Sequence, residues 1–122
     1  MFYPQEDPER ILVEEWLFWQ VANLGAMGAQ AHHYLKYAKE KVPYAMERFT
    51  LEMGRIYRVM NTRLEGREYL AGNYSIADIA SYGWVARWQD QGQNLDDFPN
   101  VKSWLARVGD RPAVKRGTAF TE

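Results

Sequence analysis

Apolar residues recur along this chain at helical spacing, and nowhere do they alternate over the length of a strand. From Glu9 to about Leu24 two apolar stripes run side by side. Ile11, Leu12, Trp16 and Trp19 form one, and Val13, Leu17, Val21 and Leu24 form the other, about 100° away around the helix. A surface helix needs a single stripe, so this one is expected to be sandwiched between the core and something further. Gly25-Ala26-Met27-Gly28 reads as a kink or short break, because two close glycines weaken helix propensity. The pattern resumes through Gln30, His32, His33, Tyr34, Leu35 and Tyr37.

Pro43 starts a second long helix that runs to about Leu64. Its stripe is Val42, Met46, Phe49, Met53, Ile56, Met60 and Leu64, with Glu47, Arg48, Glu52, Arg55, Arg58 and Arg63 on the other faces. Glu65 to Tyr74 is a loop marked by Gly66 and Gly72-Asn73. Ser75-Ile76-Ala77-Asp78 is a capping box: the Ser75 hydroxyl caps the amide at Asp78 while the Asp78 carboxylate reaches back to the Ser75 amide. Tyr74 and Ile79 stand at hydrophobic-staple spacing. The helix they open continues to about Gln91, and within its first ten residues only Asp78 is charged, so it is expected to be the most buried. Asp96, Asp97 and Pro99 start another helix ending near Val108-Gly109, with Val101, Trp104, Leu105 and Val108 facing inward. Asp110 and Pro112 start a short last one. The fold class is all-α, with five or six helices, no internal repeat and no linker after residue 10.

Composition shows that such a domain can sustain itself. For 122 residues the area scaling expects about two-thirds of the chain's surface to be buried, so no disulfide or metal staple is needed. Lys plus Arg total 15 against 16 Asp plus Glu, a net charge of −1, which argues against a nucleic-acid binder or an anionic membrane surface as partner. The absence of Cys excludes thiol catalysis, disulfides and thiolate metal sites, and permits the cytosol. The N-terminus carries Pro4, Glu6, Asp7 and Glu9 and has no basic n-region or apolar run, so it does not read as a signal or transit peptide. No stretch approaches the ~20 apolar residues of a membrane helix.

Candidate chemistry is sparse. His32 and His33 are helix neighbours pointing about 100° apart, so they cannot share one metal ion as an i, i+4 pair could. They read as one packed and one solvated histidine, with a second reading in which one lines a cleft beside Gln30 and Tyr34. Arg48, Glu52 and Arg55 share a helical face and read as a solvated charge ladder, or as an Arg freed from it to hold a carboxylate. The five Trp sit at core periodicity, which favours packing over a ring-stacking ligand site. Gly25 to Gly28 lacks a Lys-Ser/Thr ending and follows a helix, so it is no phosphate loop.

The segments Trp16-Leu17-Phe18-Trp19-Gln20, Met27-Gly28-Ala29-Gln30 with His32-His33-Tyr34, and Pro43-Tyr44-Ala45-Met46-Glu47-Arg48-Phe49 together resemble the C-terminal domain of glutathione transferases. The resemblance is greatest to the Nu class of bacteria and fungi, whose relatives include the yeast nitrogen-regulating prion protein. Ser75-Ile76-Ala77-Asp78-Ile79-Ala80, Phe98-Pro99-Asn100-Val101 with Trp104, and Arg111-Pro112-Ala113-Val114 match the later helices of that superfamily. The resemblance implies a glutathione transferase C-terminal-like bundle without the thioredoxin-like N-terminal domain, with residues 1–8 a remnant of the interdomain linker and 9–122 the helical domain. It implies glutathione as cosubstrate of the complete protein, no tightly bound cofactor, no metal, and no catalytic residue in this half. It further implies a cytoplasmic homodimer in detoxification, acting on a hydrophobic or disulfide small molecule and inactive as the isolated domain. Arg48 would hold glutathione across the dimer, and Trp16, Met27, Gln30, His33, Tyr34 and Tyr37 would shape the electrophile pocket. The alternative is a non-catalytic dimerisation or protein-interaction module of the same fold.

Overall fold

The two glycines expected to kink or briefly break the first helix leave it unbroken. In the computed structural model, which describes residues 1–119, one helical rod runs from Glu9 to Tyr37. It consists of α1 (Glu9–Trp19), a wider-turned π segment (Gln20–Gly25), α2 (Ala26–His32) and a second π segment (His33–Tyr37). Gly25 keeps right-handed helical geometry, with φ −70° and ψ −50°. What requires glycine is space: a Cβ on Gly28 would lie 3.0 Å from Trp84 Cε3, and one on Gly25 would lie 3.2 Å from Trp84 Nε1. Helix propensity is given up there in exchange for close packing against that indole.

After the rod, α3 (Pro43–Arg63) runs back against it, so that Arg63 meets Trp16 and Phe49 meets Tyr34. The chain then forms α4 (Ile76–Val85), 3-10 turns at Trp88–Gln91 and Leu95–Asp97, α5 (Pro99–Gly109) and α6 (Pro112–Thr118). The fourth helix stops six residues before the expected Gln91, which ends the 3-10 turn instead. The architecture is all-α, and among the described residues the only β-pairing is two isolated bridges in the 65–74 loop. The expected domain end at residue 122 lies outside the described residues. No helix among them is long and apolar enough to cross a membrane.

Met53, Ile56 and Met60 of α3 and Leu64 just past its end are buried as their spacing requires, together with Tyr57 from the same face. Leu24, Leu70, Val85, Val101, Trp104 and Val108 close around them. On α1 the inward stripe is Val13, Gln20 and Leu24, whereas Val21 is 60% exposed. Helix geometry explains the choice, which the two stripes left open: Gln20 lies about 20° from Val13 around the axis and Val21 about 80°. A polar residue holds the core-facing position.

Three polar arrangements lock the helices together. Asp78, fully buried, completes the expected capping box by accepting from Ser75 N–H at 3.1 Å, and Ser75 Oγ accepts from Ala77 N–H at 3.2 Å. The same carboxylate accepts from Leu70 N–H at 3.1 Å and from Trp104 Nε1 at 2.8 Å, which joins the loop, α4 and α5. Burial pushes its carboxyl up from the usual range, opposed by those hydrogen bonds. Asn61 of α3 accepts from Asn100 N–H at 2.9 Å and Val101 N–H at 3.3 Å, capping a helix whose own N-cap, Phe98, offers no side-chain acceptor. Tyr57 donates to Gln91 Oε1 at 2.6 Å, and Gln91 Nε2 donates to Trp84 O at 2.7 Å.

One expectation fails in part. Ala77, Asp78, Ser81 and Val85 of α4 are buried, yet Ile79 is 47% exposed and Gly83 faces open space. One face of α4 is thus left uncovered by the described residues.

Candidate functional site

The residues expected to form the electrophile pocket lie along one side of the helical rod. Met27, Gln30, Tyr34 and Tyr37 step by three or four along it, and His33 stands about 100° from Tyr34 around the axis. Met27 is half-buried against the core and Gln30 is exposed. The His33 ring meets Tyr34 edge-on with centroids 5.0 Å apart, and Tyr34 stacks on Phe49 of α3 at 5.5 Å and 11°. Tyr37 is exposed, edge-on to His32 at 6.3 Å. These five make an open wall rather than an enclosed cavity. Trp16, three helical turns from Met27, is not brought to the wall. It lines a separate cleft between α1 and α3, with the Arg63 guanidinium 5.0 Å from its ring centroid.

Of the two histidines, His32 is the packed one and His33 the solvated one. Burial lowers the His32 pKa, with Asp90 opposing. Its Nε2 has no hydrogen-bond partner and stands 3.6 Å from Asp90 Oδ2, whose nearer partner is Lys36 Nζ at 3.0 Å. Its adjacency to His33 gave no sign of which would be buried; the Gly28 and Trp84 packing decides it, because the His32 ring lies 6.2 Å from that indole. Among the described residues no three His, Asp or Glu side chains gather as a metal ion would need.

Arg48 projects from the outer face of α3 into a groove of about 480 Å³ with Tyr44, Leu51, Glu52, Arg55 and Arg58. The expected charge ladder forms only in half. Glu52 is forked by Arg55, at 2.6 Å to Nη2 and 3.0 Å to Nε, and this hydrogen bonding holds its carboxyl below the usual range. Arg48 forms no ion pair among the described residues, so its guanidinium is available to a carboxylate from outside. Tyr44 at 75% and Leu51 at 65% exposure flank it.

Two further clefts border the bare face of α4. One, of about 340 Å³, is lined by His32, Ile79, Ala80, Gly83, Trp84 and Arg87. The other, of about 280 Å³, lies between α4, α6 and Phe2, where Arg111 sits 3.6 Å over the Tyr74 ring. Sequence reasoning missed both, since each gathers side chains from distant segments.

Comparison with known proteins identifies the family and the fold. Residues 24–112 match the family model described as glutathione S-transferase, C-terminal domain. Disulfide-bond oxidoreductase YfcG of Escherichia coli is 46% identical over 93% of this chain and 54% of its own length. A glutathione transferase from Burkholderia graminis, solved with two glutathione molecules per subunit, superposes with a TM-score of 0.87 at 34% identity, over 96% of this chain and 52% of that one. Ure2p in complex with glutathione superposes at 0.86 and 28% identity, over 94% of this chain and 55% of that one. The chain spans about half the length of these relatives.

Proposed function

Because the chain belongs to the glutathione S-transferase C-terminal domain family, we propose that it is the substrate-binding and dimerisation half of a glutathione-dependent transferase or disulfide reductase. The observation that carries the reading is Arg48: a cation left unpaired beside a saturated Arg55–Glu52 fork, in a groove flanked by Tyr44 and Leu51. In the complete protein Arg48 holds a glutathione carboxylate bound in the neighbouring subunit. The wall from Met27 to Tyr37 faces the electrophile or disulfide, and its ring faces suit a flat apolar body. Solved relatives that bind glutathione or glutathione disulfide support this ligand class.

Charge pattern supports a homodimer. The outer face of α1 presents Ile11, Glu15 and Phe18, acidic and apolar, and the outer face of α3 presents Tyr44, Arg48, Leu51 and Arg55, basic and apolar. A two-fold axis brings such unlike faces together twice. The uncovered side of α4 is the seat of the thioredoxin-like half. Residues 1–8 serve as the linker to it: Phe2 O accepts from Ile76 N–H at 2.9 Å, which pins that segment at the start of α4. The cytoplasm, with its glutathione pool, is the compartment this chemistry requires, and detoxification is the role it would fill.

In the two-domain protein, Arg48→Ala is expected to raise KM for glutathione about tenfold, the worth of one charge-assisted hydrogen bond, and to leave KM for the electrophile unchanged. An unaltered glutathione KM would remove the assignment. The purified 122-residue chain alone is expected to turn over an aryl halide with glutathione at no measurable rate. The second reading, a non-catalytic interaction module, is favoured by the bare apolar faces and is separated by the coding sequence upstream of Met1. An in-frame thioredoxin-like segment there supports the enzyme, and a stop codon supports the module.

A further inference from the structure

Where α1 crosses the C-terminal half of α3, a cleft of about 560 Å³ collects Trp16, Arg55, Arg58, Val59, Arg63 and Arg67. The chain as a whole carries a net charge of −1, yet four guanidinium groups converge here. Only one of them is neutralised, Arg55 by Glu52. Arg58 forms no ion pair or hydrogen bond among the described residues, and Arg67 donates only to the carbonyls of Arg63 and Glu65. Arg63 donates Nε to Leu70 O at 2.8 Å and lies over the Trp16 ring, with Glu15 acting on it only at longer range. Its pKa is lowered, first by burial and then by the neighbouring Arg67 charge. Like charges crowded on partly desolvated ground repel unless an anion joins them. Three cations without carboxylates are an arrangement complementary to oxygen anions.

We propose that this cleft is a binding site for a small multivalent oxyanion, a phosphate or a polycarboxylate, held by Arg58, Arg63 and Arg67 over the Trp16 ring. The cleft shares Arg55 and Arg58 with the groove of Arg48, whereas Trp16, Val59, Arg63 and Arg67 line it alone, and the proposal does not depend on the role of Arg48. Val59 and the Trp16 ring supply apolar ground, so the ligand that uses the cleft in full carries its charge on a compact organic body.

The test is calorimetric titration of the folded chain with inorganic phosphate and, separately, with citrate, at ionic strength held constant by KCl. Saturable binding at millimolar concentration or below is expected. Binding of phosphate alone assigns a phosphate ester, binding of citrate alone a polycarboxylate, and binding of both a charge-selected site; each supports the proposal. Arg58→Gln and Arg67→Gln are each expected to weaken binding about tenfold, through loss of one charged donor. Arg116→Gln, an exposed change of equal charge on α6, is expected to leave it unchanged. No saturable binding by either anion overturns the proposal, as does an Arg58→Gln chain that binds as tightly as the Arg116→Gln chain.

Discussion

Replacing Asp78 by alanine removes an acceptor that three buried donors share: Ser75 N–H, Leu70 N–H and Trp104 Nε1–H, at 3.1, 3.1 and 2.8 Å. A buried donor left without a partner costs about 1–3 kcal/mol, and lost capping is included in the Ser75 share. Against this, the folded chain no longer desolvates a carboxylate, a cost visible in the raised Asp78 pKa. The net loss is expected at about 3–5 kcal/mol, a large part of the stability of a domain this size. Urea unfolding followed by circular dichroism would show a midpoint lowered by about 2 M, taking a slope of about 1–3 kcal/mol per M. Trp104→Phe removes one donor and keeps most of the ring. In a double-mutant cycle with Asp78→Ala, the pair should be coupled by about 1–2 kcal/mol. An Asp78→Ala loss below about 1 kcal/mol, or an uncoupled cycle, would refute the argument that this carboxylate joins the loop, α4 and α5.

Three other consequences are measurable. Gly28→Ala places a methyl 3.0 Å from the Trp84 ring, and the ring must shift, costing about 1–3 kcal/mol with a changed near-ultraviolet dichroism. Asn61→Ala uncaps α5 from a distance of 39 residues, costing about 1 kcal/mol and speeding amide exchange at Asn100 and Val101. His32 is buried with a lowered pKa, so below about pH 6.5 the unfolded chain binds more protons than the folded one. Its contribution is therefore full above that pH and is lost as pH falls through the folded value, at no more than about 1.4 kcal/mol per pH unit. His32→Gln should flatten the stability profile in that window, as read by thermal melts between pH 5 and 7.

Periodicity made the helices legible, because core positions on α3 follow the 3.6-residue repeat almost without exception. On the first helix it marks two apolar stripes without deciding which faces the core, and Gln20 belongs to neither. An apolar count cannot register a buried glutamine. The glycines at 25 and 28 were misread for a related reason: propensity is a local quantity, and the Trp84 indole that requires them lies more than fifty residues onward. Ser75 and Asp78 were readable as a cap since both partners of a capping box are near in sequence. That Asp78 also serves Leu70 and Trp104 was not, and neither was the Asn61 cap, for these bonds exist only once helices pack. The charge ladder through Arg48 was readable as a row of charges, while the selection of Arg55 over Arg48 by Glu52 depends on side-chain geometry that the sequence leaves open.

The short helix α4 is fastened at each end by a different part of the chain. Asp78 ties its start to Leu70 and Trp104, and Gln91, held by Tyr57, ties its last turn through the Trp84 carbonyl. A helix so clamped cannot slide or rotate without breaking buried hydrogen bonds, and its uncovered Ile79 and Gly83 side is held in one place before anything meets it. The ordering entropy of that side has been spent during folding, so whatever comes to rest there finds a rigid seat and loses little freedom on the helix's account.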